Sequence, residues 1–118
     1  MKLTNTEVRN LFRAHEKLTT LRFPFKPATR LALARNLSAL RSAMTDIVSV
    51  TNDLVAKHSD GKDKVDPAVN PEAYRAFCAE VEELNKLDCE VDLKPLTEVE
   101  LSPIDDIGIL EGILPIIE

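Results

Sequence analysis

From Ala28 to Lys57 the chain contains no proline or glycine, and Leu33, Leu37, Leu40, Met44, Ile47, Thr51 and Leu54 follow one another at alternating steps of four and three. This heptad seam predicts one helix of about 30 residues, about 45 Å long at 1.5 Å per residue. Such a rod is longer than a compact domain of 118 residues is wide. A partner helix or another subunit must therefore cover part of the seam.

Shorter elements flank it. Thr4-Asn5-Thr6-Glu7 is a capping-box pattern and predicts a helix to about Leu18. Val8, Leu11, Phe12 and Leu18 would line one face with His15 beside them, and Arg9, Arg13, Glu16 and Lys17 another. Pro24 and Pro27 make Leu21 to Pro27 extended and place Pro27 in the first turn of the long helix. Ser59 to Pro67 reads as a mobile polar loop. Asn70-Pro71-Glu72 then opens a helix to about Leu87, with Tyr74, Phe77, Cys78, Val81 and Leu84 as the apolar face that meets the long helix.

Beyond it the period changes to two, with Cys89, Val91 and Leu93 on one side of a strand. Ser102-Pro103-Ile104-Asp105 is expected to start a short helix, limited by Gly108 and Gly112. The apolar tail Ile113 to Ile117 is expected to pair as a strand or dock on another subunit. The fold class that follows is helix-dominated α+β in a single domain, residues 1–118. It comprises a long antiparallel helical hairpin, an N-terminal helix and a small C-terminal sheet made from Cys89 to Leu93 and the tail. A homo-oligomer is expected, formed through the long helix and the C-terminus.

Aromatic residues are 4% of the chain and Trp is absent, so the core falls to Leu, Ile, Val and Ala. No window holds the roughly 18 to 20 consecutive apolar residues of a membrane span, and Met1 to Arg9 lack a signal-peptide apolar stretch. The expectation is a cytoplasmic protein without a membrane partner, its Cys78 and Cys89 reduced and buried. Charge divides along the chain: Met1 to Thr45 carries nine basic residues and two acids, whereas Asp46 to Glu118 carries six and eighteen. Either the halves neutralise each other, or the basic half collects an anion, or it faces the acidic half of a second subunit.

No Gly-rich phosphate loop, His-Glu-x-x-His or Cys-x-x-Cys pattern is present, and Asp60, Asp63 and Asp66 do not have calcium-loop spacing. With only His15 and His58, the sequence points to no enzyme, no catalytic residue, no metal and no cofactor. The sharper expectation is anion binding. Arg9, Arg13 and Lys17 lie at four-residue steps on one helix, and Arg22, Lys26 and Arg30 surround the start of the long helix, whose N-terminus favours phosphate. Arg9, Arg13, Lys26 and Arg30 are the expected phosphate contacts, with a nucleotide as the ligand. The net charge of −5 and the shortage of aromatics disfavour duplex nucleic acid.

The order of short motifs is Met-Lys-Leu-Thr-Asn-Thr-Glu, Pro-Phe-Lys, Arg35-Asn36, Glu90-Val91-Asp92-Leu93, Leu101-Ser102-Pro103 and Ile116-Ile117-Glu118. It resembles a group of small, mostly uncharacterised tailed-bacteriophage proteins, over nearly the whole chain. The resemblance implies one of two roles in the host cytoplasm. One is an anti-defence accessory protein that sequesters a nucleotide immune signal. The other is a virion or assembly protein acting through oligomerisation and protein contacts. No functional residue follows from it.

Overall fold

In a computed structural model, which describes residues 1–60 and 62–118, the chain forms β1 (Lys2–Thr4), α1 (Asn5–Leu21), α2 (Pro27–His58), α3 (Pro71–Lys86), β2 (Asp88–Glu90) and α4 (Ile107–Ile113). A 3₁₀ turn, Leu114–Ile116, follows α4. Gly61, inside the expected polar loop, lies outside the described residues. The molecule measures 51 × 25 × 19 Å, and α2, with 32 residues, spans its long axis.

The helices start where their caps are. Thr4 Oγ1 accepts from Glu7 N at 3.2 Å while Glu7 Oε1 accepts from Thr4 N at 3.0 Å, so both halves of the capping box form. Asn70 Oδ1 accepts from Ala73 N at 3.1 Å and starts α3, with Pro71 in the first turn. α1 runs a turn further than Leu18 and ends at Arg22, which takes the left-handed conformation (φ 51°) as the chain reverses toward α2.

α1 is held between α2 and α4. Val8 and Leu11 of α1, Leu40 of α2, Leu96, and Ile109, Ile113 and Ile116 of the C-terminal segment are fully buried where these elements meet. The α2 seam follows this core only in part: Leu33, Leu40 and Ile47 are buried, Leu37, Met44, Thr51 and Leu54 half-buried. α3 turns back along the far end of α2 but buries only Leu84, leaving Phe77 and Val81 half-covered and Tyr74 and Cys78 exposed. Both cysteines are free, yet Cys78 is not in a core and Cys89 is half-buried, contrary to the expected buried pair. Position on the apolar face of α3 failed as a guide to Cys78 because that helix buries only Leu84.

The small sheet draws on both ends of the chain. β1 pairs antiparallel with β2, placing Lys2 opposite Glu90, Leu3 opposite Cys89 and Thr4 opposite Asp88. The strand is shorter than Cys89 to Leu93, although Val91 and Leu93 are buried as the period of two requires. The tail makes only a parallel bridge, Ile117 with Leu96: Leu96 N donates to Ile116 O and Glu118 N to Leu96 O, both at 2.8 Å. The helix expected at Ser102 begins instead at Ile107, capped by Asp106 Oδ1 on Ile109 N at 3.3 Å, and both glycines lie inside it. The upstream capping box is at Thr97 and Glu100, where it starts a run of turns, 98–103, that does not become a helix; Pro103, lacking an N–H, cannot donate within it.

Candidate ligand-binding cleft

The six expected cations divide among separate surfaces. Arg13 and Lys17, one turn apart on the exposed side of α1, line a cleft of about 360 Å³ between α1 and α4. Glu7, Asn10 and Ala14 of α1 and Gly108, Glu111 and Gly112 of α4 complete most of its wall. Its floor is shallow because the helices approach closely: a Cβ on Gly112 would stand 3.0 Å from Ala14 Cβ.

Arg22 and Arg30 line a second, smaller cleft of about 150 Å³, with Phe23, Phe25 and Leu33. Arg30 is held there by its own turn, Nε donating to Phe25 O at 3.2 Å and Nη2 to Phe23 O at 3.1 Å. The Phe23 and Phe25 rings beneath it are 5.9 Å apart at 56°. Lys26, the N-cap position of α2, lines a third depression beside Thr29 and Glu100. Arg9 turns inward: Nη2 donates to Thr51 Oγ1 at 3.4 Å, and Nε is buried without a protein partner.

Electrostatics separate these cations from the rest of the molecule. Four ion pairs occur among the described residues, Met1 N with Glu90, Lys2 with Asp88, Lys57 with Glu80 and Lys86 with Glu82, and His58 is hydrogen-bonded to Glu80. No arginine takes part, so direct pairing of the basic half with the acidic half is confined to the two contacts at β1. Arg13 and Lys17 share their cleft with Glu7 and Glu111 without a contact within 4.0 Å, and Glu7 is already engaged by the Thr4 backbone.

The titratable groups elsewhere are occupied structurally. His15 is 1% exposed; its Nδ1 lies 2.8 Å from Leu11 O, and burial lowers its pKa against a smaller opposing effect of that hydrogen bond. His58 Nε2 meets Glu80 Oε2 at 3.0 Å, Lys57 Nζ meets Oε1 at 2.7 Å, and the His58 ring stands edge-on to Phe77. The Lys57 hydrogen bond, then that of His58, lowers the Glu80 pKa, and the cluster ties the end of α2 to α3. Glu100 is lowered chiefly by the Thr97 N–H. No three His, Cys, Asp or Glu side chains among the described residues are grouped to hold a metal, and no described helix is long and apolar enough to cross a membrane.

Sequence reasoning singled out Arg13 and Lys17 but missed Asn10, Glu111 and the two glycines of the opposite wall. A glycine pair four residues apart was the available signal, since it permits a close helix crossing, but nothing in the sequence named α1 as the helix crossed. Compared with known proteins, the sequence matches no family model and no curated protein, and the fold matches no solved structure.

Proposed function

We propose that this chain is a tailed-phage accessory protein that binds an anionic host molecule, a nucleotide, in the α1–α4 cleft and holds it without chemical change in the host cytoplasm. The observation that carries the reading is the pair Arg13 and Lys17: two cations one turn apart, without ion-pair partners among the described residues, on the wall of a cleft of about 360 Å³. That volume is at the low end of the ~300–1,000 Å³ typical of small-ligand sites and suits a single nucleotide unit. Asn10 and Glu111 supply an amide and an acceptor for the ligand's polar edge. The Arg22–Arg30 cleft, less than half that size and without a carboxylate among its lining residues, is a separate, phosphate-sized depression. The phage assignment is supported by the resemblance of the short motifs.

Native mass spectrometry with a panel of cyclic di- and trinucleotides tests the reading. Binding of an integral number of ligands, abolished in Arg13→Glu/Lys17→Glu and with ligand recovered intact after heat denaturation, supports it. Binding that survives the double reversal removes the cleft from consideration; consumption of the ligand would make the protein an enzyme. A second reading, a phage assembly protein working through protein contacts alone, is favoured by the uncovered apolar side of α3, and absence of any nucleotide binding would select it.

A further inference from the structure

The cleft between the end of α1 and the start of α2 is more rigidly built than the one at α4. Phe25 N donates to Phe23 O at 2.8 Å and closes a three-residue turn on Pro24, whose ring fixes its own backbone angle. Arg30 ties that turn to α2, Nε donating to Phe25 O and Nη2 to Phe23 O. The two carbonyls hold the guanidinium in place before any ligand arrives, and they occupy two of its five N–H groups. Arg22, the left-handed residue that ends α1, faces the same cleft. No acid lines it, and neither arginine is in an ion pair among the described residues. The rest of the wall is mostly apolar: Leu18, Phe25 and Leu33 are buried beneath it, Phe23 is half-buried, and Ala34 stands at its exposed edge.

We infer that this cleft is a second, independent site that takes a small organic acid, a carboxylate carried on an aromatic or aliphatic body. A carboxylate has two oxygens to set against the free N–H groups of the arginines, and the planar guanidinium suits that pairing. The body of the acid covers Leu18, Phe25 and Leu33 and removes their apolar surface from water. Inorganic phosphate would pair with the cations but give up hydration against that wall for nothing in return. Size sets the other limit. The cleft holds about 150 Å³, a volume that accommodates one six-membered ring and falls below the ~300 Å³ at which ordinary small-ligand sites begin. It shares no lining residue with the α1–α4 cleft, so the inference does not depend on the ligand assigned there.

Titration of the full chain with phenylacetate, followed by NMR shifts of the backbone amides and of the Arg30 Nε–H, tests it. Saturable shifts should centre on Phe23, Phe25 and Arg30. Phenylacetamide, which lacks the charge, and acetate and inorganic phosphate, which lack the ring, should each bind at least about tenfold more weakly. Arg22→Gln should weaken phenylacetate about tenfold, at an exposed position outside the Arg30 hydrogen bonds. Ala34→Leu, on the exposed side of α2, fills the cleft while keeping both cations and should weaken it to a similar extent. No saturable shift at Phe23 and Phe25, equal binding of phenylacetamide or of phosphate, a response centred instead on Asn10 and Arg13, or indifference to both substitutions would each overturn the proposal.

Discussion

Asn36 on α2 and Lys94 in the C-terminal segment hold each other by a reciprocal pair of hydrogen bonds: Asn36 Nδ2 donates to Lys94 O at 3.0 Å, and Lys94 N donates to Asn36 Oδ1 at 2.8 Å. The Asn36 side chain, 1% exposed, thus serves as a strand partner for a backbone that has left the sheet at Glu90. Asn36→Leu keeps the volume but removes two part-buried hydrogen bonds to the backbone of Lys94, each worth about 0.5–1.5 kcal/mol. The expected loss is about 1–3 kcal/mol in urea denaturation, with an unchanged m-value.

His15 should set a pH dependence of its own. Its folded pKa lies below the ordinary 6.5, so below that pH the unfolded chain takes up a proton that the native state refuses. Stability is therefore full above about pH 6.5 and declines as pH falls from there toward the depressed folded value, by at most ~1.4 kcal/mol per unit. The Glu80 and Glu100 carboxylates are depressed too, but their contributions are present above 4.5 and are lost only at lower pH. Urea midpoints between pH 7.5 and 5 should fall in the wild type and stay nearly flat in His15→Phe, measured relative to each protein's own midpoint at pH 7.5.

The two glycines of α4 should respond differently to added bulk. Gly112→Val drives a branched side chain into Ala14 on α1 and should cost about 1–3 kcal/mol through overpacking. At Gly108 a Cβ meets only Asp106 Oδ1, at 3.2 Å. Gly108→Ala also gains up to ~1 kcal/mol of helix propensity. Thermal denaturation should place Gly108→Ala within about 1 kcal/mol of wild type and Gly112→Val clearly below it.

Arg9 and Arg13, adjacent turns of one helix, should divide stability from binding. Thr51 Oγ1 accepts from Arg9 Nη2 while donating to Ile47 O at 2.8 Å, so Arg9→Ala breaks a tie between α1 and α2 and should cost about 1 kcal/mol without changing ligand affinity. Arg13→Ala should leave the denaturation curve within ~0.5 kcal/mol and weaken nucleotide binding at least about tenfold by calorimetry.

The parts of the fold legible in the sequence are those encoded locally. Thr4 and Glu7 meet three residues apart, Asn70 caps the next helix, and the seam from Leu33 to Leu54 marks α2, because each signal lies within a few turns of chain. β1 was not legible: three residues show no period, and their partner lies near Cys89, at the other end of the sequence. The start of α4 was misplaced because Ser102-Pro103 resembles a helix start, while the Thr97–Glu100 box nearby already used that turn. The candidate site was legible only in part, for the same reason. Four-residue spacing found Arg13 and Lys17 on one wall, but spacing alone could not show that Arg9, in phase with them, turns toward Thr51, or that Arg22, Lys26 and Arg30 belong to other surfaces.

Since α3 is anchored by Leu84 and by the Glu80 cluster while α1 is enclosed on both sides, the amide protons of the two helices should exchange with solvent on different scales. Those of α1 and the first half of α2 report global unfolding, whereas those from Ala73 to Ala79 report a cheaper, local opening of the hairpin's end. Exchange should thus divide the chain into a slowly opening body and an arm that opens more readily, and whatever settles on that arm slows its exchange without altering that of the body.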